Sequence, residues 1–214
     1  MLLNIKYDLE KDIENYKIIA NTKYKGGDSK VLAFFTKKFA YDFSDNNLTK
    51  FIEGFVKYNK FDLRQKLLDI QTLWLPVENN VKTRLDKIFN YDYPQQELTA
   101  YLTTNDRCGL GQNYFFVTAY SNEPLRIICH ELLHFYTYHV FDKKLREMEE
   151  KKRYDIKESL TELLNLELSD LIERPEIGYL GHEKLRQLVI DSWKVNRDII
   201  TTFDKLSEEY LNNI

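Results

Sequence analysis

The chain lacks the features on which small secreted proteins, nucleic-acid binders and membrane proteins depend. Two cysteines in 214 residues cannot build a disulfide framework. The formal net charge of −3 leaves no excess of basic residues for a phosphate backbone or an anionic membrane surface. No apolar run approaches a membrane span, and the first residues, with Lys6 among them, are unlike a secretion signal. We therefore expect a cytoplasmic protein that binds neither nucleic acid nor membranes.

Apolar and aromatic residues, in contrast, are plentiful. Hydrophobic residues make up 43% of the chain, and they include 15 tyrosines and 13 phenylalanines. This supply is sufficient for a sizeable core and argues against disorder. The length predicts one domain or two closely joined subdomains. Apolar residues recur at helical spacing through most of residues 1–92, which we expect to form a helical N-terminal region without a catalytic group of residues.

Two segments with strand character follow this region. Residues 97–104 alternate with period two, and residues 113–120 are rich in strand-forming residues. The loop between them contains Gly109 and Gly111. The pattern predicts an antiparallel hairpin over 97–120. Together with the helices on either side, it predicts a mostly helical α+β chain with one small antiparallel sheet.

Two of the four histidines lie in the segment His130-Glu131-Leu132-Leu133-His134, within a helix that we expect over 122–141. Residues four apart on a helix lie on one face, one turn above the other. This spacing allows both imidazoles to reach one zinc ion at about 2.0–2.1 Å. Glu131 lies beside them and can hold and deprotonate a water molecule on that metal. The segment is therefore a candidate zinc site.

The same segment also has a purely structural interpretation. Leu132, Leu133 and Phe135 indicate a buried helix, and a single histidine in such a helix is more often a packed core residue than a ligand. Here two histidines have the ligand spacing, and a glutamate lies between them. An unpaired glutamate on an apolar face is costly unless it has a partner, and a metal-bound water provides one. These features favour the zinc site.

A catalytic zinc ion needs a third protein ligand. The metzincin pattern would require a glycine three residues after His134, where this chain has Thr137. Further along, residues 155–172 carry an apolar stripe at helical spacing and are predicted to form a second amphipathic helix. Glu158 and Glu162 lie four apart on that helix and share a face.

This order of motifs resembles the gluzincin family of zinc metallopeptidases, in which His-Glu-x-x-His is followed along the chain by Glu-x-x-x-Asp. By this resemblance Glu158 would be the third zinc ligand. Glu162 stands where the family has aspartate, and it would accept a hydrogen bond from a liganding histidine. The resemblance covers roughly residues 97–182, and it leaves the N-terminal half unexplained.

The resemblance also implies a fold and a substrate site. It implies a zincin-like core over 93–214, with the small sheet before the metal helix and further helices over 182–212. In gluzincins the edge strand of that sheet pairs with an extended substrate, as in strand addition generally. An ordinary edge strand is the alternative. The candidate substrate-binding residues are Asn113, Tyr114, Phe115 and Phe116.

The activity implied is zinc-dependent hydrolysis of peptide bonds in a peptide or protein substrate. Zinc held by His130, His134 and Glu158 would lower the pKa of its water toward about 7. Glu131 would take the proton and pass it to the leaving amine. A further donor must stabilise the oxyanion of the attacked carbonyl. The candidates for that donor are Tyr154, Tyr179 and His182.

Two alternatives come from other functional classes. If Cys108 or His182 closed the fourth zinc position, the chain would be a metal-stabilised binding or regulatory protein without catalysis. The chain could also be a hydrolase of non-peptide substrates; peptide deformylases use such a helix, but their upstream cysteine motif is not found here. Arg107-Cys108-Gly109 matches a segment that blocks zinc in latent metalloproteases, but the match is short and an ordinary loop thiol is favoured.

Overall fold

A computed structural model describes residues 2–21, 29–94 and 97–213 of the chain. The chain divides into two compact units. The first unit comprises Met1–Pro76 and Gln95–Pro124, and the second comprises Val77–Pro94 and Leu125–Ile214. None of the described helices is long and apolar enough to cross a membrane.

The elements are numbered along the whole chain, and the first unit holds three strands and four helices. These are β1 (Leu2–Tyr7), α1 (Leu9–Asn21), α2 (Lys30–Phe39), α3 (Asp45–Tyr58), α4 (Leu63–Trp74), β2 (Glu97–Thr103) and β3 (Tyr114–Thr118). The helices α1, α2 and α3 share a hydrophobic cluster that includes Tyr16, Phe35 and Phe51. Phe35 and Phe51 meet edge to face in this cluster, with ring centroids 5.3 Å apart.

The three strands form one sheet in the order β1-β2-β3, and both pairs are parallel. Leu3 pairs with Leu98, and Ala100 pairs with Phe115. The chain is therefore α+β, but the antiparallel sheet expected for a zincin-like core is wrong. Within residues 1–92 the described elements are helices apart from β1, which supplies an edge strand of this sheet.

The reversal of the chain occurs inside the loop before β3, and this explains the error. Gly111 N donates to Tyr114 O at 2.8 Å, and Phe116 N donates to Gly109 O at 3.3 Å. Residues 109–111 thus run antiparallel to β3, which then continues parallel to β2. A Cβ atom at position 111 would lie 2.2 Å from the Tyr114 ring, so any other residue there would have to displace that ring. Period-two alternation marks a strand but does not specify its direction.

A buried carboxylate joins α1 to the end of β2. Asp12 accepts hydrogen bonds from Thr103 Oγ1 at 2.6 Å, from Thr104 N at 3.0 Å and from Thr104 Oγ1 at 2.8 Å. Its side chain has no exposure to solvent. Burial raises the pKa of Asp12 to about 6, and the hydrogen bonds from Thr103 and Thr104 offset this only in part.

This shift makes stability depend on pH. Folded Asp12 holds its proton more tightly than the unfolded chain does, so the stabilisation is complete below the unfolded pKa of about 3.9 and is lost as the pH rises through about 6. The loss is on the order of 3 kcal/mol. The Asp12→Asn side chain does not titrate, so this variant should not show the loss of stability as the pH rises. Urea unfolding of both proteins at about pH 4 and about pH 6.5 measures the difference; equal pH dependence in the two would contradict the expectation.

The second unit consists of helices. They are α5 (Glu78–Phe89), α6 (Pro124–Arg146), α7 (Glu150–Ser159), α8 (Glu162–Glu167), α9 (Glu183–Asn196) and α10 (Ile199–Asn213). Buried residues occur all around α6, which makes it the core helix of this unit. Its backbone leaves the helical region at Phe141 (φ −111°, ψ 17°), and the Phe141 ring stacks on Phe203 at 3.9 Å between centroids. Around it, α7 packs against α9 and α10, and α8 packs against α9.

Candidate metal centre

The two histidines of the motif lie on one face of α6. Their ring centroids are 4.4 Å apart, and the ring planes are nearly perpendicular. His134 is 2% exposed, and its neighbours Leu132 and Leu133 are fully buried. The face that carries the imidazoles is therefore buried at His134 and half-buried at His130.

Glu158, near the end of α7, brings a carboxylate to both imidazoles. Its Oε2 lies 3.4 Å from His130 Nε2, and its Oε1 lies 3.4 Å from His134 Nε2. One ligand atom from each of the three residues lies within 4.8 Å of the other two. Two ligands bound to one zinc ion at about 2.1 Å with a tetrahedral angle are about 3.4 Å apart. Each imidazole nitrogen therefore lies at the ligand–ligand distance from one of the two Glu158 oxygens, and the group could hold a single ion.

Several polar atoms of this group have no hydrogen-bond partner within the described parts of the chain. They are both ring nitrogens of His134 and Oε2 of Glu158, and all are buried. A buried polar atom without a partner costs about 1–3 kcal/mol. Two imidazoles and one carboxylate are also a donor set that zinc prefers. The group could thus hold a metal ion, which would satisfy Glu158 Oε2 and one of the two ring nitrogens of His134.

Glu176 holds His130 from the opposite side of the ring. His130 Nδ1 donates to Glu176 Oε2 at 3.2 Å, and Arg126 Nη1 donates to the same oxygen at 2.7 Å. With the proton on Nδ1, the lone pair of Nε2 faces Glu158, which is the arrangement of a metal-ligating histidine. Sequence reasoning missed Glu176, because it lies in an irregular loop where no fixed spacing relates it to the motif.

Glu162 makes other contacts. It pairs with Arg186 at 2.5 Å and accepts a hydrogen bond from Asn165 at 3.2 Å, whereas Glu176 makes the histidine contact that was expected of Glu162. The expected single helix over 155–172 is interrupted between α7 and α8. There the backbone hydrogen bonds span three residues, as from Thr161 N to Glu158 O at 3.3 Å. Such 3₁₀ turns contain 3.0 residues each, so the four-residue spacing no longer keeps two side chains on one face.

The loop that carries Glu176 is anchored at several points in the second unit. The Glu173 carboxylate accepts from Leu125 N and Arg126 N, both at 2.9 Å, at the start of α6. Further along, Gly178 has φ +68°, and a Cβ atom there would lie 2.7 Å from the Arg186 side chain. These contacts hold Glu176 against α6 and turn the chain toward Tyr179.

Glu131 has the electrostatic environment of a general base. Burial raises the pKa of its carboxyl to about 7, although the nearby charges of His130 and Lys157 lower it. A group with a pKa near the working pH can both accept and return a proton. In the metal-free site, burial lowers the pKa of His130, but the carboxylates of Glu158 and Glu176 outweigh it and raise that pKa to about 10. The pocket thus favours positive charge between these carboxylates.

The three candidate oxyanion donors lie close together. The rings of Tyr154, Tyr179 and His182 are 5.9–6.1 Å apart from centroid to centroid. His182 Nε2 donates to Asp155 Oδ1 at 3.0 Å, and Tyr210 donates to the other oxygen of that carboxylate at 3.0 Å. Burial, followed by the charge of Glu158, raises the pKa of Tyr179. Tyr179 therefore keeps its proton at neutral pH and remains a donor.

The predicted substrate strand belongs to the first unit. Phe115 and Phe116 are fully buried, and Asn113 O accepts from Thr99 N at 3.0 Å. Tyr114 donates its hydroxyl proton to Glu14. The backbone of 114–116 is already paired with 109–111, which covers the edge that a substrate strand would use there. Substrate binding by these residues stays a prediction.

The two cysteines lie outside the ligand group. Neither Cys108 nor Cys129 is in a disulfide, and burial raises the pKa of the Cys129 thiol. Among the residues that the structure describes, the one group with metal-ligand geometry contains neither a cysteine nor His182. The group offers three possible protein ligands, one fewer than a closed tetrahedral zinc site has.

Comparisons with protein-family models, with curated proteins and with solved structures give no match to this chain.

Proposed function

We propose that the chain is a zinc-dependent metallopeptidase of the gluzincin type that hydrolyses peptide bonds. The ligands would be His130, His134 and Glu158, and the base would be Glu131. One observation carries the proposal: ligand atoms of half-buried His130 and of buried His134 and Glu158 converge within 4.8 Å, and the glutamate of the motif follows His130 directly in the sequence. A structural metal site has no need for such a base.

Each residue of the group has a task in this reaction. A bound zinc ion would act as a Lewis acid and make water acidic enough to attack an amide carbonyl near neutral pH. Glu131 takes the proton of the attacking water and delivers it to the leaving amine, for which its pKa of about 7 is suited. Tyr179 keeps its proton, because burial and the negative charge of Glu158 raise its pKa, and it donates a hydrogen bond to the oxyanion. Glu176 keeps the His130 ring in its ligand orientation.

The charge balance of the site supports a resident cation. Three carboxylates surround the imidazoles, those of Glu131, Glu158 and Glu176, and they face the two cations Arg126 and Lys157. With both imidazoles neutral, as metal ligation requires, and with Glu131 ionised, the group carries one more negative than positive charge; without a metal, a proton on His130 balances this excess. A divalent ion would take the place of that proton and would satisfy Glu158 Oε2 and one ring nitrogen of His134.

The non-catalytic alternative predicts a closed ligand set, and the described residues favour an open one. Neither Cys108 nor His182 joins the ligand group; His182 is instead held by Asp155. An open position is what a catalytic zinc ion keeps for water or substrate. The choice of a peptide substrate is supported by the resemblance of the motifs to gluzincins.

Metal removal tests this proposal. We expect one zinc ion per chain by elemental analysis, and we expect hydrolysis of a quenched fluorescent peptide library to stop after chelation and to return with one equivalent of zinc. Bound zinc without any peptide cleavage would support the non-catalytic alternative. Failure to bind zinc stoichiometrically would refute the ligand assignment itself.

A further inference from the structure

Lys157 extends an ammonium group into the candidate metal centre. Its Nζ lies 2.7 Å from Glu158 Oε1, and its side chain is only 12% exposed. The same ammonium lies 5.6 Å from the ring centroid of Tyr154, which adds a cation–π contact. A lysine so enclosed is uncommon unless its charge has a partner, and here the partner is the proposed third ligand.

The two oxygens of Glu158 are therefore not equivalent. Oε1 is engaged by Lys157, whereas Oε2 is buried, points to His130 Nε2 at 3.4 Å and has no hydrogen bond within the described residues. Oε1 is equally close to His134 Nε2, but an ammonium already occupies it. A charge-assisted hydrogen bond of this kind is about twice as strong as a neutral one, so it competes with a second metal–oxygen bond.

The difference matters because a carboxylate can bind a metal through one oxygen or through both. Binding through both oxygens would raise the coordination number of a zinc ion and fill the position that substrate or water needs. Releasing Oε1 to the metal would leave the ammonium of Lys157 buried and without its partner, which is strongly unfavourable.

We propose that Lys157 keeps Glu158 a one-oxygen ligand: Nζ holds Oε1, Oε2 alone is offered to the metal, and the fourth position stays open. This inference rests on the proposed metal site. Lys157 is in this view a positioning residue, acting on the coordination number through Glu158. The role differs from that of Glu176, which orients an imidazole.

Cobalt substitution provides the test, because the visible absorption of Co²⁺ is strong in a four-coordinate site and weak in a five-coordinate one. The variants are Lys157→Met and, as the matched control, Lys151→Met. Lys151 lies on the same helix α7 and is exposed, and its ammonium contacts only the Tyr210 ring among the contacts described, at 5.6 Å. We expect the wild type and Lys151→Met to have the same intense bands. In Lys157→Met, Glu158 should bind through both oxygens and the absorbance should fall by roughly half or more.

The outcomes separate this inference from the proposed function. If the wild type binds no cobalt or zinc, the metal site is refuted. If the metal binds and folded Lys157→Met keeps the wild-type spectrum, the role of Lys157 is refuted and the metal site stands. Should Lys157→Met fail to fold, X-ray absorption of the zinc-loaded wild type decides: a short zinc–carbon distance, the mark of a carboxylate bound through both oxygens, would refute the inference, and its absence would support it.

Discussion

Replacing Glu131 with glutamine is expected to lower kcat for peptide hydrolysis by about 10²–10⁴-fold while the zinc content stays at the wild-type level. Glutamine has nearly the same size and hydrogen-bonding reach, but it cannot take a proton from the attacking water. Glu131 is not in the ligand group, so the three ligand residues remain in place. The loss should therefore appear in kcat and not in the metal affinity.

The matched control is Glu147→Gln, the same substitution at an exposed position just beyond the end of α6. Its kcat should equal that of the wild type within experimental error. The measurement is steady-state cleavage of one fluorescent peptide, with zinc quantified in the same samples. Undiminished turnover by Glu131→Gln would end the assignment of the general base.

The second large effect concerns two glutamates that are four residues apart. Glu158→Ala should weaken zinc binding by about a hundredfold or more, since it removes one of three protein ligands from a site in which such binding amounts to about 10–16 kcal/mol. Glu162→Ala should leave the zinc affinity within a few-fold of wild type, because its described partners are Arg186 and Asn165. It should instead lower the free energy of unfolding by about 3 kcal/mol, because Arg186 is left buried with less compensation.

Competition with a zinc-binding dye measures the first quantity, and urea unfolding of the metal-free proteins measures the second. The two variants thus serve as controls for each other, with one affecting the metal and the other the fold. A large loss of zinc affinity in Glu162→Ala with none in Glu158→Ala would reverse the assignment. That result would make Glu162, beyond the 3₁₀ turn, the metal ligand in place of Glu158.

The sheet shows what local sequence patterns can predict and what they cannot. The alternation in residues 97–104 and 113–120 predicted two strands, and β2 and β3 lie there. Their antiparallel pairing was wrong because the short turn forms between 109–111 and β3, and not between the two strands. Alternation in the sequence shows which side chains lie on each face of a strand. It does not show whether two strands pair in parallel, because the path of the loop between them determines that.

In the candidate metal centre, too, the sequence predicted some of the contacts and not others. The sequence alone determined that His130, Glu131 and His134 are neighbours on one helix, since the period of a helix relates residues three and four apart wherever it forms. It also placed Glu158 at the edge of a second apolar stripe, and the resemblance to gluzincins then implied that Glu158 is the third ligand.

Only the tertiary structure decided which carboxylates serve the histidines and how. Glu176 reaches His130 from a loop, Glu162 turns to Arg186 after a 3₁₀ turn, and Lys157 takes one oxygen of Glu158. None of these contacts has a fixed spacing from the motif, because each joins segments whose relative position depends on how the helices pack.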